Sequence, residues 1–358
     1  MADLWYALVA FTLTMYVILD GYDFGAGMLH LLVTRSEDDR RRVLGAIGPY
    51  WDGNEVWLLA AGGALFVAFP AVLAAGLSGF YFAIFLLLWC LIGRGVAIEL
   101  RSHLADPLWR SFWDTMFAIT SLLLALLFGV ALGNIVRGVP IEADGWFSLA
   151  LFTDFRARPP VGILDWYTLA VGAFAVVALL AHGAAFLVLD TADSLRERCS
   201  VTLRRALTVA AVGWPLLTFA TARVRPGFFD AFFHRPPAWL AIGIALAGIV
   251  LALLAPARGR HALAFAGTSA FLGGLLAATA ICAWPALLFS QPEPARSLTV
   301  QAAAAPPSSL RIALVWYPLA LVLAIVYMVI VVRFHRGAAS SGEYPGDRPN
   351  ERPSRPPP

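Results

Sequence analysis

The chain has 358 residues, of which 60% are hydrophobic and 14% charged, with a formal net charge of +3 and a mean hydropathy of +0.75. A chain of that composition cannot make a water-soluble surface. Nor does the small positive charge call for nucleic acid, because there is no basic stripe with interleaved aromatics and no nucleic-acid module.

Apolar runs long enough to cross about 30 Å of hydrocarbon at about 1.5 Å per residue recur along the whole sequence. Nine spans are predicted, at 5–33, 44–70, 74–98, 113–136, 163–188, 203–222, 238–256, 262–289 and 311–333. Such runs lack the period-2 alternation of a barrel, so the expected fold is an all-α polytopic helix bundle. Arginine supplies all 26 basic charges. One set of connections holds Arg35, Arg40 to Arg42, Arg101, Arg110, Arg196, Arg198, Arg204, Arg205, Arg258, Arg260 and the tail from Arg333, and the alternate set is poorer. The rich set is expected in the cytoplasm, which places the N-terminus outside and the C-terminus inside. The opening MADLWYALVA lacks a basic n-region and runs into a full-length span, so no cleaved signal peptide is expected. Cys90, Cys199 and Cys282 form no CxxC and imply neither a disulfide framework nor a metal knuckle.

In chain order, span one carries LDGYDFGAGM at 19–28, with Asp20 and Asp23 one turn apart and Gly21 and Gly25 as a small-xxx-small pair. Span two carries GPYWDGNEVW at 48–57, where Asp52 and Glu55 share a face and Trp57 points roughly 140° away from Asp52. Span three ends with Arg94, Glu99 and Arg101, and Asp114 opens span four. LDTAD at 189–193 repeats the double aspartate of LDGYD, which suggests that spans one to four and five to eight are halves of a parallel repeat with a peripheral ninth. An ionisable group at mid-span costs on the order of 2.5–3.5 kcal/mol and therefore faces a bundle interior, a wet path or a partner. Asp114 is simply explained as a first-turn carboxylate favoured by the helix dipole. Arg94 either snorkels or neutralises Asp20 or Asp114, and Asp23 is close enough to the inner boundary for hydration. Asp20, Asp52 and Glu55 are expected deeper, where one arginine cannot neutralise them all. They suit a proton or ion path, with structural pairing as the alternative.

A membrane haem needs axial ligands at matched depth. His103, His234, His261 and His335 fall in or beside loops, His30 lies near the inner end of span one, and His182 alone is well inside a span, where a hydrogen-bonded interior role is expected. No Walker loop, GxSxG elbow or HExxH site is present, and no metal site is expected.

An ordered block of motifs resembles subunit II of the cytochrome bd-type quinol oxidases: DGYDFGAGML, GPYWDGNEVWLLAAGGALFVAFP, SGFYFAIFLLL, Arg94 followed by ELRS, the WRSFWD turn, and GNIVRGVP. It covers about the first 140 residues, and the later half agrees in span count and loop placement. The resemblance implies nine transmembrane helices in two four-helix bundles plus a peripheral helix. The corresponding segments are 1–136 for the first bundle, 137–161 for an external loop, 162–290 for the second bundle, 291–335 for a loop and the ninth helix, and 336–358 for a disordered cytoplasmic tail. It implies a non-haem subunit of the bacterial cytoplasmic membrane, paired with a haem-bearing subunit I that holds haems b and d, and admits a small single-helix subunit. The joint activity would be quinol oxidation coupled to reduction of dioxygen to water, with protons taken from the cytoplasm. Within it Asp52 would carry protons and Asp20 would match another buried acid. Glu55 would extend the path, Arg94, Asp114, Asp23 and Glu99 would form an ion-pair network, and Trp57 would border an oxygen entrance. Some relatives hold a structural quinone in this subunit, which no motif here decides. The competing readings are an ion-coupled secondary transporter, which would show helices broken at mid-depth in both halves, and a purely structural scaffold.

Overall fold

The computed structural model describes residues 1–291 and 293–335. The expected disordered tail, 336–358, lies outside the described residues. The first half contains α1 (Ala2–Leu32), α2 (Glu37–Ile47), α3 (Trp51–Ala68), α4 (Pro70–Gly79), α5 (Tyr81–Leu100) and α6 (Pro107–Arg137). An irregular outer segment leads to α7 (Trp166–Asp190), α8 (Asp193–Val224), the short α9 (Pro226–Phe233), α10 (Pro236–Leu254) and α11 (His261–Ala283). A two-stranded antiparallel hairpin, β1 (Ala286–Leu288) with β2 (Leu298–Thr299), precedes α12 (Pro307–His335).

Eight described helices are long and apolar enough to cross a membrane: α1, α5, α6, α7, α8, α10, α11 and α12. The expected second span, α3, has only 18 residues and opens with Asp52, Asn54 and Glu55, so its mean hydropathy falls short of the others. Its start also differs from the expected 44. Residues 37–47 form a separate amphipathic helix whose Ser36 cap accepts from the Asp39 amide and whose Val43, Leu44, Ala46 and Ile47 are buried. The turn at Gly48, Pro49 and Tyr50 then breaks the chain before Trp51. Asp52 consequently stands in the first turn of α3 rather than deep in a span. The expected third span likewise divides at Phe80 into α4 and α5.

α1 is central, packing on α3, α6, α7 and α11. Packing in the first half has a counterpart in the second: α1 on α3 and α7 on α8, α1 on α6 and α7 on α11, α5 on α6 and α10 on α11. Short α4 and α9 occupy matching places between the second and third long helices of each half. The halves meet where α1 crosses α7 at Gly25 and Gly183, so close that a Cβ on Gly25 would lie 2.6 Å from the Gly183 Cα. The aspartate motifs do not share this correspondence. Gly25 follows Asp20 by five residues, whereas Gly183 precedes Asp190 by seven, and Asp190 ends α7 while Asp20 lies well inside α1. The doubling therefore lives in helix packing, and LDTAD is not the structural partner of LDGYD.

Candidate functional site

Three buried polar layers occupy the first half and its contact with α7. The middle layer is built from α1, α3 and α5. Arg94, fully buried, donates from Nη1 to Asp20 Oδ1 at 2.7 Å and from Nη2 to Glu55 Oε1 at 2.5 Å, with its guanidinium 4.7 Å from the Phe24 ring centroid. Asn54, also fully buried, donates from Nδ2 to Asp23 Oδ2 at 2.8 Å, to the Tyr22 hydroxyl at 2.7 Å and to the Leu19 carbonyl at 3.2 Å. Asp20 Oδ2, Asp23 Oδ1, Arg94 Nε and the Tyr16 hydroxyl are buried without a hydrogen-bond partner. One guanidinium thus serves a layer with three carboxyl groups, Asp20, Asp23 and Glu55. The two α3 carboxylates are more open: the Glu55 side chain is 31% exposed and Asp52, one turn earlier, is exposed and makes no ion pair with a described residue.

The second layer closes the ends of α1, α5 and α6. Asp114, 1% exposed, receives Arg101 Nε at 2.5 Å and Nη2 at 3.2 Å, Arg40 Nη1 at 3.2 Å, and lies 2.5 Å from His30 Nε2. Arg101 continues to Glu37 Oε2 at 2.9 Å, and Arg110 meets Glu37 Oε1 at 3.2 Å. Burial disfavours the Arg101 charge, but the Asp114 and Glu37 carboxylates outweigh it and hold that guanidinium above its ordinary range. A related tie runs to the second half, where Arg198 on α8 donates to Asp39 at 2.6 Å and to the Val33 carbonyl at 2.6 Å.

The third layer sits at the opposite ends. Arg137, fully buried at the end of α6, pairs with Asp165 and donates to the Asn134 side chain at 2.7 Å and the Gly162 carbonyl at 3.0 Å. Asp165 is also the N-cap of α7, accepting from the Tyr167 and Thr168 amides in a capping box. Between the layers His182 lies 2.8 Å from both the Thr268 hydroxyl and the Ile18 carbonyl and stacks on Phe265. Both ring nitrogens are engaged inside the chain, as expected of an interior residue, so His182 does not fit as a haem ligand.

Of the residues singled out from sequence, Asp20, Glu55 and Arg94 meet directly and Asp23 joins them through the same helices. Asp114 does not belong to that group: its partners are Arg101, Arg40 and His30. Glu99 is exposed and takes no part in either network with its side chain, only its carbonyl accepting from His103. Trp57 is 4% exposed and packs edge-on against Phe11, itself 43% exposed. Asn54, His30 and Glu37 were not singled out. Asn54 had a signal, a third polar side chain beside Asp52 and Glu55 in the same motif. His30 and Glu37 had none, because their role depends on how helix ends pack. Among the described residues no group of three or more His, Cys, Asp or Glu is placed to hold a metal ion.

Fold and site together define a polytopic helical membrane protein with layered buried ion pairs. The family model for cytochrome bd terminal oxidase subunit II matches residues 1–334, and the chain belongs to that family. It is 37% identical over 213 residues to the cytochrome bd-I ubiquinol oxidase subunit 2 of Escherichia coli K12, a match that covers 60% of this chain and 55% of that protein. It is 31% identical to the cytochrome bd ubiquinol oxidase subunit 2 of Bacillus subtilis, over 87% of this chain and 88% of that one. The solved structure of bd oxidase from Geobacillus thermodenitrificans shares the fold with a TM-score of 0.72 at 17% identity, covering 93% of this chain and 98% of that one.

Proposed function

We propose that the chain is the haem-free second subunit of a bd-type quinol:dioxygen oxidoreductase in a bacterial cytoplasmic membrane. It spans the bilayer nine times, α3 included, as two four-helix bundles with α12 peripheral, the N-terminus outside and the C-terminus in the cytoplasm. A partner subunit I carries the b and d haems and the quinol. This subunit supports that partner and conducts protons toward it from the cytoplasm.

The observation that carries the proton role is the fall in exposure from Asp52 through Glu55 to Asp20. An exposed carboxylate in the first turn of a membrane helix, one turn below a partly exposed one, has to face water or a partner. The polar line then continues inward through Arg94 to Asp20. With one guanidinium for three carboxyl groups, the layer has the charge stoichiometry to hold and pass a proton. Asp52 is the entry group at the subunit interface and Glu55 the relay to Asp20, while Arg94 keeps the acids at fixed separation. The Asp114 layer is structural, a clamp on the ends of α1, α5 and α6. An oxygen route beside Trp57 is supported by its edge-on contact with the half-exposed ring of Phe11. The transporter reading loses support because α1 and α7 run unbroken through 31 and 25 residues. Engagement of both Arg94 η nitrogens by carboxylates favours the scaffold reading, so the test must separate it from conduction.

That test is Asp52→Asn beside Asp52→Glu in the assembled oxidase. The amide keeps the shape but cannot exchange a proton near neutral pH. Expected are normal assembly and haem content with slowed oxygen reduction for Asn and more retained turnover for Glu. Full turnover with normal charge separation in vesicles for the Asn variant would reject a relay through Asp52, and loss of haem together with the subunit would make it an anchor.

A further inference from the structure

An apolar groove of about 510 Å³ runs along the last turns of α10 and ends at two arginines. Its walls include Leu246, Val250, Leu254 and Leu263, which are 51%, 55%, 51% and 39% exposed. At its end, Pro256 and the left-handed Gly259 (φ 68°) make a tight turn in which the Gly259 and Arg260 amides donate to the Pro256 and Ala255 carbonyls. That turn carries Arg258 and Arg260, both exposed and neither ion-paired with a described residue. From Leu246 to Leu254, where α10 ends, the helical rise is roughly 12 Å, and the turn carrying the arginines follows, against about 15 Å for half of the hydrocarbon core. The groove therefore has the length of one leaflet, with its cations at the level of the head groups.

We infer that this groove binds one anionic phospholipid, its acyl chain lying along α10 and its phosphate held by Arg258 and Arg260. Guanidinium groups match phosphate oxygens in a bidentate fork, and unpaired arginines at the membrane surface beside an apolar channel favour an anionic head group over a zwitterionic one. The groove lies apart from the proton layer: α10 packs on α8, α9 and α11, whereas that layer is built from α1, α3 and α5.

The purified oxidase complex, exchanged into detergent, is titrated with dioleoyl phosphatidylglycerol or dioleoyl phosphatidylcholine and followed by native mass spectrometry. Expected is one phosphatidylglycerol bound roughly 30-fold more tightly than phosphatidylcholine. The preference should vanish in the Arg258→Gln/Arg260→Gln variant. Val250→Trp, which fills the groove but keeps both arginines, should weaken both lipids, and inorganic phosphate should fail to displace the bound lipid. Equal affinity for the two lipids, a preference that survives in the double variant, unchanged binding in Val250→Trp, or displacement by inorganic phosphate alone would each overturn the assignment. So would a wild-type complex that takes up no lipid, which would mean that protein covers the groove. Arg258, Arg260 and Val250 are exposed on this chain, so the variants test the site and not the fold.

Discussion

Replacing Arg94 by Gln should expose how the middle layer is held together. Arg94 is fully buried and both of its η nitrogens are committed, to Asp20 at 2.7 Å and to Glu55 at 2.5 Å. Asp20 is fully buried too, and its other oxygen has no partner. Removing the cation leaves an uncompensated buried carboxylate, which costs about 3–5 kcal/mol. Glu55, partly exposed, can turn toward water and adds little. Against a total stability of about 5–15 kcal/mol, that loss would lower the apparent melting temperature by roughly 6–10 °C at about 2 °C per kcal/mol. The double variant Arg94→Gln/Asp20→Asn removes both charges and keeps hydrogen-bonding shapes, so it should recover most of the loss. The assay is thermal retention of the solubilised complex by fluorescence-detected size exclusion, run as a double-mutant cycle. A coupling below about 0.5 kcal/mol, with Arg94→Gln as stable as the parent, would refute the claim that Asp20 depends on this guanidinium.

Gly183→Leu should abolish accumulation of the folded chain, since a side chain there meets the backbone of α1, whereas Gly243→Leu, with open space around it, should accumulate normally on an immunoblot. Arg101→Gln should free the ends of α5 and α6, costing about 2–4 kcal/mol because Asp114 keeps only Arg40 and His30, and should show as faster proteolysis of the 101–106 loop with haem spectra unchanged. Enlarging Phe11 to Trp should raise the KM for oxygen more than that for quinol if oxygen passes beside Trp57, and equal KM values in an assembled enzyme would remove that route.

Much of this arrangement was legible because membrane insertion constrains sequence severely. Most expected spans end within a few residues of the observed helices, and of the roles that sequence leaves open for Arg94, snorkelling or neutralising Asp20 or Asp114, the structure shows the pairing with Asp20. The second span was misjudged for a definite reason. The buried face of amphipathic α2 contributes Val43, Leu44, Ala46 and Ile47, which read as the beginning of an apolar run, and this displaced Asp52 inward. The resemblance places Glu99 and Asp114 in one network with Arg94. In space Asp114 is claimed by Arg101 and by His30 from the end of α1, pairings set by how helix termini converge. Those depend on loop geometry between helices, to which periodicity is blind.

The contact of α1 with α7 also limits how charge can cross this subunit. Helices that slide or rock do so by letting interlocked side chains move between rotamers. At Gly25 and Gly183 there are none to move, since peptide backbone rests on peptide backbone. The two halves are riveted at this crossing, so any proton that travels through the first half has to hop between fixed groups, carried by turning carboxyls and intervening water, and its rate should follow the spacing of those groups rather than any opening and closing of the bundle.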